Sequence, residues 1–478
     1  MRRLSSQDTS FLHLEDAVSH MHIGAIAILE GPPPQYKALA ERVRANMPSV
    51  PRYRQKLHFV PFDLGRPVWV DDPHFNLGYH LRRTALPGPG GDEQLRLLIG
   101  RLMSHQLDRH KPLWEMWMIE GLSERRWVLL TKLHHAMVDG VSGAELLSAI
   151  LDDERDPKPR AALPFVPERQ PTAAELTVAA VTDRARNVYG GLQSVLAEPR
   201  ESAARAAGVV RGLLTMSGVL RPTQTSSLNG PIGPNRRWDW ARSRLSEVKF
   251  IRAELGGTVN DVVLTAIAGG FRELLASRGE STKRIVRSLV PVSVRAPGEN
   301  GESGNRVSAV FVDLPVWSSD PLERLESVRH QMEELKRSEA AVAGDILVGL
   351  SGFAPPMLLA LGMRAATRAP QRNINTATTN VPGPQRPLYA AGRRMLECFP
   401  YVPLAGQMRV TLAVFSYDGA LNFGVTGDLD SAPDVAVLCR GIERSIAELV
   451  AIAESRAAPA PKTPALSAIP SPSGPVRN

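Results

Sequence analysis

Cysteine is nearly missing from this chain of 478 residues: Cys398 and Cys439 are all it has. Two thiols build neither a disulfide framework nor a four-thiolate metal site, so the chain reads as a reduced, cytoplasmic protein. Aromatic residues supply only 5%, the basic residues are dispersed, and no zinc-finger spacing or RNA-recognition motif occurs. Nucleic acid is therefore set aside as a partner. No apolar run approaches the roughly 18 residues that a membrane-spanning helix needs. The opening MRRLSSQDTS has two arginines but no apolar stretch behind them, so it is not expected to be a secretory signal. Peripheral contact with a lipid surface stays open.

What is present is ample apolar material, 43% of the chain, enough to bury more than one core. The 57 basic residues against 49 acidic ones leave a net charge of +8. That balance suits an anionic partner such as an acidic membrane surface or an anionic small molecule.

Hydrophobic spacing predicts a strand over 22–30 and a helix over 94–107, then a hairpin-like pair of strands, WEMWMIEGL and WVLLTKLHH. A short helix follows over 143–151. Prolines 157, 159, 164, 167 and 171 interrupt any regular element, and 173–220 is Ala/Leu/Val-rich and helical in pattern. LNGPIGPNRR at 228–237 is a second punctuation. Beyond it, helices are expected over 245–255, 259–277, 320–338 and 433–454. Strands are expected over 285–292, 306–315, 409–416 and 421–427. From residue 456 the Pro/Ala/Ser composition reads as a disordered tail. The chain thus divides into an N-terminal unit (1–172), a helical crossover (173–237), a C-terminal unit (238–455) and the tail (456–478). The class is α/β.

One segment concentrates chemistry: Leu133-His134-His135-Ala136-Met137-Val138-Asp139-Gly140. Successive strand side chains point to opposite faces, so one histidine is expected inside the fold and the other in a cleft. Gly140 permits a turn, and Asp139 in it is placed to brace the loop under the reactive imidazole. A single histidine at a strand end is ordinarily just a packed residue. The combination with a second histidine, an acid at fixed spacing and a turn glycine is rarer. Zinc is not favoured, because the spacing is not H-E-x-x-H and no further cluster completes three ligands. Gly140-Val141-Ser142-Gly143 is not the G-x-S-x-G elbow of a serine hydrolase.

The HHxxxDG string resembles the active-site motif of the CoA-dependent acyltransferase superfamily. Its surroundings narrow the resemblance: Leu107-Asp108-Arg109, Pro112-Leu113-Trp114-Glu115 and Glu120-Gly121-Leu122 stand upstream. Downstream stand Leu228-Asn229-Gly230-Pro231-Ile232-Gly233, Val259-Asn260-Asp261-Val262-Val263-Leu264, Pro291-Val292-Ser293-Val294-Arg295, Gly304-Asn305-Arg306 and Asn380-Val381-Pro382-Gly383-Pro384. In this order, from about Leu4 to Leu449, they resemble the bacterial wax ester synthase/diacylglycerol acyltransferase family.

The resemblance implies two chloramphenicol-acetyltransferase-like domains with the active-site tunnel between them. It implies acyl-CoA as donor substrate, diacylglycerol or a fatty alcohol as acceptor, and neither cofactor nor metal. It assigns His135 as general base, a role that suits an imidazole at neutral pH. His134 is expected to be structural, and Asp139, beside Gly140, to pair with an arginine for which Arg295 is the candidate. Asn260 is the candidate oxyanion donor, with Asp261 beside it. The same Asn-Asp pair would also serve as a helix N-cap, and both readings stand at this point. Pro112–Trp114 is expected to pack near the acyl pocket, and NVPGP (380–384) to form a rigid loop. FAPPMLLAL (353–361), followed by Arg364, Arg368 and Arg372, reads as a docking patch for a membrane or lipid inclusion or as a buried helix. Two other readings remain: a condensation-type enzyme with an amine or polyketide-alcohol acceptor, and a lipid-binding relative with vestigial chemistry.

Overall fold

The structure, a computed structural model, describes residues 2–137, 150–157, 165–197, 226–293, 307–337 and 373–457. The N-terminal half runs β1 (Arg2–Arg3), α1 (Ser6–Leu14), β2 (His22–Glu30), α2 (Tyr36–Asn46), β3 (Gln55–His58), β4 (Val68–Asp71), α3 (Leu77–His80), β5 (Leu81–Ala85), α4 (Asp92–Ser104), β6 (Trp114–Leu122) and β7 (Arg126–His134). Helix α5 (Ala173–Ala197) leads on to β8 (Arg236–Arg244), α6 (Leu245–Leu255), α7 (Val259–Ser277), β9 (Val286–Ser293), β10 (Val307–Leu314) and α8 (Pro321–Arg337). Then come β11 (Thr376–Pro382), β12 (Tyr389–Ala390), β13 (Arg393–Tyr401), β14 (Val410–Tyr417), β15 (Ala420–Asp428) and α9 (Val435–Ala457).

Two six-stranded sheets carry the molecule. The first has the order β12-β13-β2-β7-β6-β5, the second β10-β9-β11-β14-β15-β8, and a small third sheet is β1-β4-β3. Strand β7 is buried along its whole length after Arg126. One of its faces packs into a cluster with α2 and the end of the strand, the other against α4. That two-sided burial is why it reads as a nearly continuous apolar run rather than an alternating one. The second sheet is covered by α6, α7, α8 and α9 over a single core. There α7 and α9 approach closely, because Gly270 and Gly441 face each other: a Cβ on Gly441 would lie 2.8 Å from the Gly270 Cα.

An apolar cluster joins the sheets where Trp238 and Trp240 of β8 meet Phe399 and Tyr401 of β13 and the inner face of α4. Arg96 on α4 donates to Asp239 at 2.6 Å, and Arg242 donates to Glu397 at 2.6 and 3.0 Å across the same seam.

Strand β13 crosses the expected domain boundary. Residues 389–401 fall inside the range 238–455, yet they pair with β2 of the first sheet. That range therefore supplies strands to both sheets. The sequence hid β13 because its alternation breaks at a register shift between Met395 and Glu397 and again at Pro400. Asn380-Val381-Pro382 was expected in a loop and instead ends β11, paired in parallel with β14. The punctuation at 228–237 gives way to β8 from Arg236. The helix expected over 94–107 runs from Asp92 to Ser104. Residues 143–149, 198–220 and 353–361, Arg364, Arg368 and Arg372, and the tail from 458 lie outside the described residues.

Candidate active site

Strand β7 pairs antiparallel with β2, and the register sets His134 opposite His22 at the strand ends. The chain then leaves the sheet in a single 3₁₀ turn, His135–Met137. Two backbone bonds pin this exit. His134 N–H donates to Leu113 O at 2.9 Å, and His135 N–H donates to Met21 O at 2.8 Å.

The two histidines go to different surroundings. His134 is fully buried, and its Nδ1 accepts the Ala136 N–H at 3.1 Å. Its Nε2 lies 3.4 Å from Glu15 Oε2. His135 is half-buried, and its ring stacks on Phe11 of α1 with centroids 3.8 Å apart. Its Nδ1 is sealed in the fold without a hydrogen-bond partner among the described residues. Nε2 makes no hydrogen bond among the described residues. Burial, followed by the nearby His134, pushes the His135 pKa down to about 4. The imidazole is therefore unprotonated at neutral pH, the state in which it can accept a proton.

Beneath this turn sits a charged cluster that sequence reasoning did not find. Glu15, the C-cap of α1, is buried. Arg109 Nε donates to its Oε2 at 2.8 Å, and the Arg109 Nη2 reaches the same oxygen as well as Leu12 O at 3.0 Å. His22 Nε2 is 3.6 Å from Glu15 Oε1. Burial would raise the Glu15 pKa, but His134 and Arg109 together outweigh it and hold the carboxyl at about 2. Burial, then the Lys132 charge, puts His22 well below the ordinary imidazole value. Lys132 itself is buried and donates to Leu102 O at 3.0 Å and to His105 O, capping the end of α4. Burial lowers its pKa to about 8. The sequence signs of this cluster were His134, expected to be structural, and Arg109 within Leu107-Asp108-Arg109; a buried carboxylate 94 residues from Arg109 leaves no local pattern.

In the second half, Asn260 and Asp261 lie in the first turn of α7, but neither is its N-cap. Thr258 is: its Oγ1 accepts the Asp261 N–H at 3.2 Å, and Asp261 Oδ2 accepts the Thr258 N–H at 2.8 Å. Asp261 thus closes a capping box. Asn260 Oδ1 accepts from Asn380 Nδ2 at 3.4 Å, so two separate motifs meet here. The Asn260 NH2 has no partner among the described residues. No hydrogen bond links His135 to Asn260 or Asp261 among the described residues. Asp139, Gly140 and Arg295 lie outside the described residues.

Next to the cluster, a cavity of about 190 Å³ opens between Leu14, Asp16, Val18 and Ser19 on one side and Pro231, Ile232 and Gly406 on the other. Its walls come from the segment after α1 and from the chain that crosses between the sheets.

Residues 4–263 match the wax ester synthase/diacylglycerol acyltransferase catalytic domain, and residues 303–450 match the C-terminal domain of the same proteins. A putative diacylglycerol O-acyltransferase of Mycobacterium bovis is 39% identical over 464 residues, covering 95% of this chain and 97% of that one. A probable diacylglycerol O-acyltransferase of Mycobacterium tuberculosis matches equally well. Among solved structures, the wax ester synthase/diacylglycerol acyltransferase from Marinobacter aquaeolei VT8 superposes with a TM-score of 0.69 at 26% identity, covering 95% of this chain and all of that one. The first condensation domain of the calcium-dependent antibiotic synthetase shares the fold, with a TM-score of 0.58 at 17% identity over 96% of this chain and 97% of that one.

Proposed function

The chain belongs to the wax ester synthase/diacylglycerol acyltransferase family, and from that premise we propose that it moves a long-chain acyl group from acyl-CoA to the hydroxyl of diacylglycerol, forming triacylglycerol. Fatty alcohols would enter the same reaction and give wax esters. The observation that carries the chemical reading is His135, unprotonated and half-buried in a pinned turn, with Nδ1 sealed so that Nε2 is the nitrogen proposed to meet the substrate.

In this reading His135 Nε2 takes the proton of the acceptor hydroxyl as its oxygen attacks the thioester carbonyl. The tetrahedral intermediate collapses with cleavage of the C–S bond, and the proton passes from the imidazolium to the CoA thiolate. Ester and free CoA result, no covalent acyl-enzyme forms, and the balance needs no cofactor. The NH2 of Asn260, without a partner among the described residues, is the proposed donor to the oxyanion. Asp139 and Arg295 are proposed to pair and so to brace the loop after His135.

No helix among the described residues is long and apolar enough to cross a membrane. Diacylglycerol itself partitions into lipid, so we place the enzyme in the cytoplasm, working peripherally at a membrane or lipid-inclusion surface.

The test is to incubate purified protein with labelled palmitoyl-CoA and separate panels of diacylglycerol, hexadecanol and amine acceptors, beside His135→Ala. Labelled triacylglycerol that disappears in the variant is expected. No labelled ester from any acceptor, or an equally active variant, would overturn the reading.

A further inference from the structure

Glu15 takes no part in the reaction as written, yet the groups around it converge on the turn that presents His135. Its side chain is only 1% exposed and is held by Arg109. A buried carboxylate with a full ion partner could be a fold brace and nothing more. Its contact with His134 argues for a second role.

His134 Nδ1 accepts the Ala136 N–H at 3.1 Å. A ring nitrogen that accepts carries no proton, so the neutral ring carries its proton on Nε2. Nε2 is the atom that faces Glu15, 3.4 Å from Oε2. Nε2 makes no hydrogen bond there among the described residues, so the carboxylate selects this tautomer through its charge, which attracts the Nε2 proton. In the other tautomer Nδ1 would carry a proton and meet the Ala136 N–H donor to donor. The Ala136 amide is the peptide that directly follows His135, so the state of the His134 ring sets the first peptide of the turn. On the other side of that residue, His135 N–H is tied to Met21 O, next to His22.

We propose that Glu15 is a positioning residue for the reaction, fixing the tautomer of His134 so that His134 Nδ1 holds the Ala136 amide and thereby aims His135. Arg109 keeps the carboxylate in place from behind, through Leu12 O at the end of α1. The inference rests on the reading of His135 as base.

The experiment compares Glu15→Gln in two backgrounds, the natural His134 and His134→Asn. The Asn Oδ1 can stand in for Nδ1 as acceptor of the Ala136 N–H, while its NH2 falls at the ring's Cδ2 position, short of the Nε2 position that faces Glu15. In the His134 protein, Glu15→Gln is expected to lower kcat about tenfold or more, the scale of lost outer-sphere carboxylate–histidine contacts, with KM for palmitoyl-CoA nearly unchanged. In the His134→Asn protein the same change is expected to lower kcat no further. Rates are normalised to the folded fraction from thermal melts; where Glu15→Gln does not fold, Glu15→Asp keeps the charge for Arg109 and withdraws the carboxylate by one methylene. A folded variant with the natural kcat, or an equal loss in both backgrounds, overturns the proposal. His135→Ala run in parallel separates the two claims: if it stays active, the base reading and this inference fall together. If it is dead while Glu15→Gln is unimpaired, only the inference falls.

Discussion

Phe11 of α1 lies on the face of the His135 imidazole, the rings 3.8 Å apart and 27° from parallel. An aromatic lid at that distance excludes water from one side of the proposed base. Burial is the first cause of the low His135 pKa, so the lid and the acidity of the imidazolium are linked. Phe11→Ala admits water, and the His135 pKa should rise toward the ordinary 6.5. The acid limb of kcat/KM should move to higher pH in the variant, and the optimum rate should fall as the ring loses its orientation. A pH–rate profile of both proteins checks this; an unmoved limb would show that Phe11 does not set the environment of the base.

The natural protein should in turn keep its activity in mildly acidic buffer. A base is lost when it protonates, so kcat/KM falls as pH drops through the pKa of the free enzyme. With His135 at about 4, the rate should stay near its plateau at about pH 5, where an ordinary imidazole would be almost fully protonated. An acid limb centred near the ordinary imidazole value would contradict the burial seen at this ring.

Glu15 ties acid stability to the same region. Its carboxyl is held at about 2 in the fold against an ordinary 4.5. A depressed carboxyl stabilises the fold above its unfolded pKa, and that contribution fades as pH falls from about 4.5 toward 2. At 1.36 kcal/mol per unit the contribution is about 3 kcal/mol, an order-of-magnitude figure. Denaturant midpoints at pH 6 and pH 3 should therefore differ more for the natural protein than for Glu15→Gln. Equal pH dependence in the two would mean that the interactions of Glu15 with His134 and Arg109 add nothing to the fold.

How far the sequence revealed all this depends on whether the signal was local. Strand β7 and α7 were legible because long apolar runs end in recognisable stops, and the HHxxxDG string located the turn at His135. Helix α1 was missed although Ser5 and Asp8 form its cap, since the run from Ser6 to Leu14 is mostly polar. With it went Phe11 and Glu15, whose partners His135 and Arg109 are 124 and 94 residues away in the chain and meet them only in the folded protein. The crossing of β13 into the first sheet was hidden for a similar reason: its place is set by packing against β2 and β15, while its own alternation is broken.

The first turn of α7 separates a cap from a catalytic amide. Thr258 closes the helix end with Asp261, so Thr258→Ala should cost about 1 kcal/mol, seen as a lower melting temperature. Asn260 is not in that box, and Asn260→Ala should change stability by no more than about 0.5 kcal/mol. As the proposed oxyanion donor it should instead lower kcat by about a hundredfold. A melting loss with kcat intact would assign Asn260 to the fold alone.

Gly424 tests whether the seam between the sheets must be this tight. It sits in β15 where that strand crosses β13, and a Cβ there would lie 1.8 Å from the carbonyl oxygen of Pro400. Main-chain oxygen in a buried strand cannot swing aside as the tip of a flexible side chain can. Gly424→Ala must therefore push the two sheets apart or distort β13, which also carries Phe399 and Tyr401 of the joining cluster. Overpacking of this kind costs about 3 kcal/mol or more. The expected result is a marked fall in melting temperature, with loss of activity in whatever remains folded, because His135 is fixed through β2, the neighbour of β13. A variant with the natural melting temperature would mean that the sheets can separate at this point without strain.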